Sequence, residues 1–293
     1  MNRYISVFLF LIHAFILPFT HILSATASTT QEFLIIYSGN LLAELKPCGC
    51  AKEEDQGGIE RRMQYLQDIR KNNPNILLVD TGDHFKEPTR QGKLKAETLL
   101  KATEKMEYDA VALGERDLVY GSQFLKKYSI PFISTNIELE NFTLEKSKVK
   151  NLKNGIKIAV LSVVDPSLFY LKNHAGLKIP HPDQILSQEI SRIRNSNSID
   201  FLVLLTHMEK KKSLKYLKKN GVDIVINGHI FSETDIVDMK PIQEIDKIFL
   251  QASPRGQKMG ELRLIINETG KVSFKHRMVR LDSSINNDPE MVK

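Results

Sequence analysis

An α/β fold, with helices covering the faces of its sheets, is what the 293-residue sequence predicts. Three observations carry that expectation. Beyond the N-terminal segment, apolar runs of strand length alternate with longer amphipathic stretches. Most of these runs are continuous in Val, Ile and Leu, as in strands buried on both faces. The last three runs differ, following one another with only turns between them, which predicts an antiparallel meander closing a second sheet.

Taken in order, "EFLIIYS" from Glu32 is a buried strand and "GGIERRMQYLQDIRKN" from Gly57 a helix. "NILLVD", ending at Asp80, is the next strand, followed by a helix across "KLKAETLLKATEKM" from Lys93 and a short strand "DAVALG" ending at Gly114. A helix near "SQFLKKY" precedes the apolar "PFIST", and "IKIAVLSVVD" is again a strand. "DQILSQEISRIRNS" is a helix, "DFLVLLTH" a strand, the lysine-rich 209–220 a helix and "VDIVINGH" a strand. "KIFLQAS", "GELRLIIN" and "KVSFKHRMVRL" make the meander.

The N-terminus is a separate problem. Arg3 precedes an apolar run from Ile5 to Leu23, and Ala25-Thr26-Ala27 supplies small residues for cleavage, so 1–27 has the build of a secretory signal and the mature chain is expected to begin near Ser28. An uncleaved membrane anchor is the competing reading, weakened by Pro18, Thr20 and His21. Either places the folded part outside the cytoplasm, periplasmic or secreted, where a disulfide can persist. Residues 28–293 suit one large domain better than two small ones. With 42% hydrophobic and 26% charged residues the composition is that of an ordinary globular protein, and a net charge of +6 is modest. Part of that charge sits in "EKKKSLKYLKKN" (209–220), where Leu214, Tyr216 and Leu217 interrupt the lysines as in a surface helix with a solvated basic face. No nucleic-acid partner is expected.

Polar residues with ligand potential collect just after the strands: Asp83 and His84, then Glu115, Arg116 and Asp117, then His207, then His229. In an α/β sheet the carboxyl ends of the strands share one edge, so these loops converge on one crevice. Each residue alone has a plainer role, as a turn cap or a satisfied structural histidine. Together, two carboxylates and two imidazoles form a mixed O/N set suited to one divalent transition metal: Zn, Mn or Fe.

The order "IIYSGNLLAEL", "LLVDTGDHF", "YDAVALGERDLVYG", "STNIE", "LLTH" and "VINGH" resembles the calcineurin-like metallophosphoesterases. Within them it is most similar to the amino-terminal domain of periplasmic 5'-nucleotidases and UDP-sugar hydrolases. The resemblance runs from about Phe33 to the final strands and implies a four-layer α/β/β/α sandwich of two mixed sheets flanked by helices. It also implies metal-dependent hydrolysis of a small phosphorylated substrate. The nucleotidases stack the base on a second, carboxy-terminal domain, which the resemblance does not extend to here.

Carried over residue by residue, the match is uneven. The family's opening Asp-x-His falls on Asn40 and Leu42, and its bridging Asp on Asp83. The Asn, His and Glu of its central motif fall on Glu115, Arg116 and Asp117. Its later His is His207, and of the closing His-x-His pair the first is His229 and the second Phe231. One ion of the family's pair thus loses its ligands apart from Asp83, while the other keeps Asp83, Glu115, His207 and His229, so the resemblance implies a reduced, single-metal site. Arg116 replaces the catalytic His and can clamp an oxyanion by two hydrogen bonds, or simply pair with Glu115 or Asp117. His84 and Asp117 are then the candidates for protonating a leaving group.

Both cysteines of the chain, Cys48 and Cys50, lie in "KPCGC" shortly after Asn40 and Leu42. Metal ligation, a strained redox-active disulfide and a plain structural disulfide are all open to them. Pro-Cys-Gly-Cys with Gly-Glu-Arg-Asp resembles a nucleotidase-like subgroup in which a cysteine of the motif is sometimes selenocysteine, which implies thiol chemistry. The alternative to hydrolysis is therefore a thiol-redox or metal-binding protein on a phosphoesterase scaffold, working with a redox partner. After signal cleavage no stable membrane contact is expected.

Overall fold

The computed structural model describes residues 30–49, 55–169, 176–230 and 237–292. The expected signal segment, Cys50 and Phe231 lie outside the described residues.

The first sheet contains β1 (Gln31–Ser38), β2 (Ile76–Asp80), β3 (Ala110–Ala112) and β4 (Phe132–Ile133), all parallel. The second contains β5 (Ser147–Asn151), β6 (Lys157–Val164), β7 (Phe201–His207), β8 (Ile224–Asn227), β9 (Ile242–Glu244) and β10 (Lys247–Gln251). Here β6, β7, β8 and β10 run parallel, and β5 and β9 are antiparallel edge strands. The chain then returns to the first sheet, where β11 (Lys258–Ile266) pairs antiparallel with β1 and with β12 (Val272–Arg280). Both sheets are six-stranded and mixed, in the orders β12-β11-β1-β2-β3-β4 and β9-β10-β8-β7-β6-β5.

The period of two along each strand explains why the central runs are apolar without interruption. In β1, Phe33, Ile35 and Tyr37 enter the core between the sheets, whereas Leu34 and Ile36 pack under α1 (Ile59–Asn72) and α2 (Arg90–Lys105). In β7, Val203 and Leu205 face the inter-sheet core, whereas Leu202 and Leu204 face α4 (Pro182–Asn197). Three apolar layers between four layers of secondary structure result, the α/β/β/α arrangement.

Three expectations are corrected. The final three strands form no single meander: β10 joins the second sheet in parallel with β8, and only β11 and β12 form a hairpin, in the first sheet. The switch follows Pro254-Arg255-Gly256, where Arg255 and Gly256 take positive φ values of 51° and 58°, a tight turn from one sheet toward the other. The helix expected near 122–128 is a single turn, α3 (Ser122–Leu125). The lysine-rich segment is a short helix, α5 (Lys210–Leu214), continued by a 3-10 turn at Lys215–Lys218. Its basic face is held by neighbours: Lys210, Lys212 and Lys215 reach Asp238, Asp165 and Asp183, and Lys219 donates to Ser187. Among the described residues no helix is long and apolar enough to cross a membrane.

Candidate metal centre

The loops after β2, β3, β7 and β8 open at one edge of the sandwich. The loop after β2 turns sharply through Gly82 (φ 91°) and Asp83 (φ 61°), a left-handed step that Asp tolerates better than bulky residues. Asp83 is held in it by its backbone N–H, which donates to Asp117 Oδ2 at 2.8 Å, and by its Oδ1, which accepts from the Arg116 N–H at 3.0 Å. The loop after β1 lies alongside, with Asn40, Leu42 and Ala43 N–H groups donating to the carbonyls of Gly82, Asp83 and His84.

Four side chains converge there. Asp83, Glu115, His207 and His229 each offer a ligand atom, and these atoms all lie within 4.8 Å of one another. His207 Nε2 is 2.9 Å from Glu115 Oε2 and 3.4 Å from Asp83 Oδ2, and His229 Nδ1 is 3.6 Å from Glu115 Oε1.

The donor set fits a cation by its own chemistry. His207 Nδ1 donates to the Thr81 carbonyl at 2.9 Å, so in the neutral ring Nε2 carries the lone pair. That nitrogen is buried, makes no hydrogen bond and faces two carboxylates, which are themselves acceptors. Acceptors meet acceptors at such distances only with a proton or a cation between them. Gly114 keeps the space open: a Cβ there would stand 2.3 Å from Asp83 Oδ1 and 2.7 Å from His207 Cε1. Without an ion, burial opposes protonation of His207, yet the carboxylates of Asp83 and Glu115 outweigh it and hold the imidazole pKa well above its ordinary value. Glu115 moves the other way: burial would raise its pKa, but His207 and His229 draw it well below the usual carboxylate range.

The remaining expected site residues are placed as follows. Arg116 lies beside the group, its Nε 3.6 Å from Asp83 Oδ2 and its side chain 30% exposed, so its guanidinium faces Asp83 within reach of solvent. Asn40 is buried with its amide donating to the Gly228 carbonyl, and Leu42 is buried. Cys48 is exposed, opposite Gln56 on a two-residue ladder, and is not among the convergent residues.

His84 and Asp117, the residues expected to protonate a leaving group, are both fully buried. Asp117 accepts backbone N–H bonds from Asp83, His84 and Gly114, and His84 Nδ1 donates to it at 3.0 Å. Burial opposes protonation of His84, but Asp117 and Asp80 prevail and raise its pKa to about 9. Sequence reasoning missed Thr81, which orients His207, and Gly114. Motif spacing around Asp83 and Glu115 was the available signal for both.

The profile of the family described as calcineurin-like phosphoesterase matches residues 20–232. The 5'-nucleotidase of Homo sapiens is 26% identical over 267 residues, covering 80% of this chain and 46% of that protein. The chain thus spans about half the length of the curated nucleotidases it matches. Among solved structures, a 5'-nucleotidase precursor from Thermus thermophilus superposes with a TM-score of 0.77 at 16% identity, over 89% of this chain and 57% of that one. The calcineurin-like phosphoesterase YfkN from Bacillus subtilis gives 0.69 at 20% identity, over 90% of this chain and 95% of that one. With the profile spanning most of the sequence and the two-sheet sandwich shared along nearly all of the chain, this protein belongs to the calcineurin-like phosphoesterase family.

Proposed function

We propose that the protein is an extracytoplasmic hydrolase of phosphate monoesters, related to 5'-nucleotidases, that works with one divalent transition metal held by Asp83, Glu115, His207 and His229. The observation that carries this reading is the convergence of those four ligand atoms, with the His207 lone pair fixed toward the two carboxylates. An ion held there supplies Lewis acidity toward a phosphoryl oxygen and a nucleophile from water at neutral pH. Arg116, partly exposed beside Asp83, binds the non-bridging oxygens of the ester and offsets their charge. Leu42 and Asn40, in place of the family's Asp-x-His, favour a single ion over a pair, and the N-terminal sequence favours export, with 28–293 as one domain.

The test is hydrolysis of a generic aryl phosphate by the full mature chain loaded with Zn, Mn or Fe. Asp83→Ala is expected to abolish turnover, and unchanged turnover in that variant rejects the reading. A second reading, a thiol-redox or metal-binding protein using Cys48 and Cys50, draws on the exposure of Cys48. It gains ground only if Cys48→Ser alters metal content or thiol potential while the wild-type chain leaves the aryl phosphate intact.

A further inference from the structure

His84 is a buried titratable side chain that the chemistry proposed above does not use. Its ring lies between two carboxylates that are themselves without exposure: Nδ1 donates to Asp117 Oδ1 at 3.0 Å, while Nε2, which makes no hydrogen bond, stands at ion-pair distance, 3.3 Å, from Asp80 Oδ1. Each carboxylate also organises a loop. Asp117 accepts from the N–H groups of Asp83 at 2.8 Å and Gly114 at 2.7 Å, residues that respectively are, or adjoin, ligands of the candidate centre. Asp80 accepts from the Gly82 N–H at 2.8 Å and from Ser38 Oγ at 2.6 Å. The chain of contacts continues inward, since Ser38 Oγ is 2.8 Å from the Tyr108 hydroxyl, which accepts from Arg62 at 3.3 Å, and Arg62 donates to the Gly256 carbonyl at 2.9 Å.

We propose that His84 is a positioning residue for the metal centre: by bridging Asp80 and Asp117 it holds the loop carrying Asp83 against the loop carrying Glu115 at ligand spacing. The inference rests on the metal-centre reading and adds a residue that touches neither ion nor substrate. Removing the ring leaves two buried carboxylates facing a gap, an arrangement that relaxes by separation or by protonation of one of them. Either change loosens Asp117's hold on the Asp83 and Gly114 N–H groups, and the ligand atoms spread. Partners one shell out from an ion typically set its affinity by about 10- to 100-fold.

The experiment uses the full mature chain freed of metal and titrated with Co²⁺ alone, whose visible absorption reports ligand geometry. His84→Leu is expected to bind Co²⁺ about 10- to 100-fold more weakly with an altered spectrum, and His84→Gln, which keeps a hydrogen bond to Asp117, to fall between it and wild type. Circular dichroism checks that each variant is folded, and if His84→Leu is not, a folded His84→Gln with a shifted spectrum and weaker binding carries the test. Wild-type affinity and spectrum in folded His84→Gln and His84→Leu overturn the positioning role, as does wild-type binding in His84→Gln when His84→Leu does not fold. A wild-type chain that takes no Co²⁺ overturns the metal-centre reading as well, which separates the two failures.

Discussion

His207 is bound to Thr81: its Nδ1 donates to the Thr81 carbonyl at 2.9 Å, across 126 positions of sequence, and this one bond decides which nitrogen faces Asp83 and Glu115. A ring held this way is ready for a cation before one arrives. Added Zn²⁺ or Mn²⁺ is therefore expected to raise the thermal midpoint of the metal-free chain, and a chelator to reverse the rise. At one hundred times its dissociation constant an ion adds about 2.7 kcal/mol of stability. A midpoint indifferent to both additions contradicts the expectation.

Gly114 makes the second case. Because a Cβ at that position would collide with Asp83 and the His207 ring, Gly114→Ala is expected to lose the ion while leaving the far-ultraviolet circular dichroism unchanged. Metal content of the purified variant decides the point, and wild-type content counts against the centre drawn here.

On the proposed reading Arg116 acts on charge rather than on protons. Arg116→Ala is expected to keep the ion and to lower kcat/KM for an aryl phosphate by about 100-fold, the usual scale for losing one oxyanion donor. Arg116→Lys, with a point charge in place of a planar fork, should recover only part of it. A variant as fast as wild type would return Arg116 to a loop-pairing role.

In the metal-free chain buried His84, with His207 beside it, and half-buried His276 give opposite pH limbs. His84 has its pKa raised to about 9, so the stability it contributes is fully present below its unfolded value near 6.5 and is lost as pH rises through about 9. His276 is shifted the other way: burial lowers its pKa, Glu261 opposing, while its Nε2 is 2.9 Å from the Tyr37 hydroxyl. Its contribution is present above about 6.5 and is lost as pH falls. Thermal unfolding in chelator from pH 5 to 10 should therefore decline on both sides, with His84→Gln removing part of the alkaline limb, His207 keeping the rest, and His276→Gln reducing the acid one. Limbs that persist unchanged in both variants would assign the pH dependence to other groups.

The fold was legible wherever burial on both faces makes a strand continuously apolar, as in Phe201–His207 and Ile224–Asn227. It was not legible in Ser147–Asn151, an edge strand of "SKVKN" with one apolar residue, because an exposed edge needs no apolar run. Nor could spacing show that the chain changes sheets between Gln251 and Lys258, since strand pairing is a long-range matter and short turns suit either outcome. At the site, the four converging residues could be found because each ends or follows a strand of one of the two sheets, at the carboxyl ends of those strands. The burial of His84 could not, because its neighbour Asp83 shares its sequence surroundings, and only the turn at Gly82 and Asp83 sends the two side chains to different places.

The central claim is that Asp83, Glu115, His207 and His229 hold one ion. The most direct measurement is the metal content per chain of the mature protein, purified from export without chelator, beside His207→Ala and Cys48→Ser. About one ion per chain, lost in His207→Ala and kept in Cys48→Ser, is the result expected. No ion in the wild-type chain, or an ion that survives His207→Ala, contradicts it.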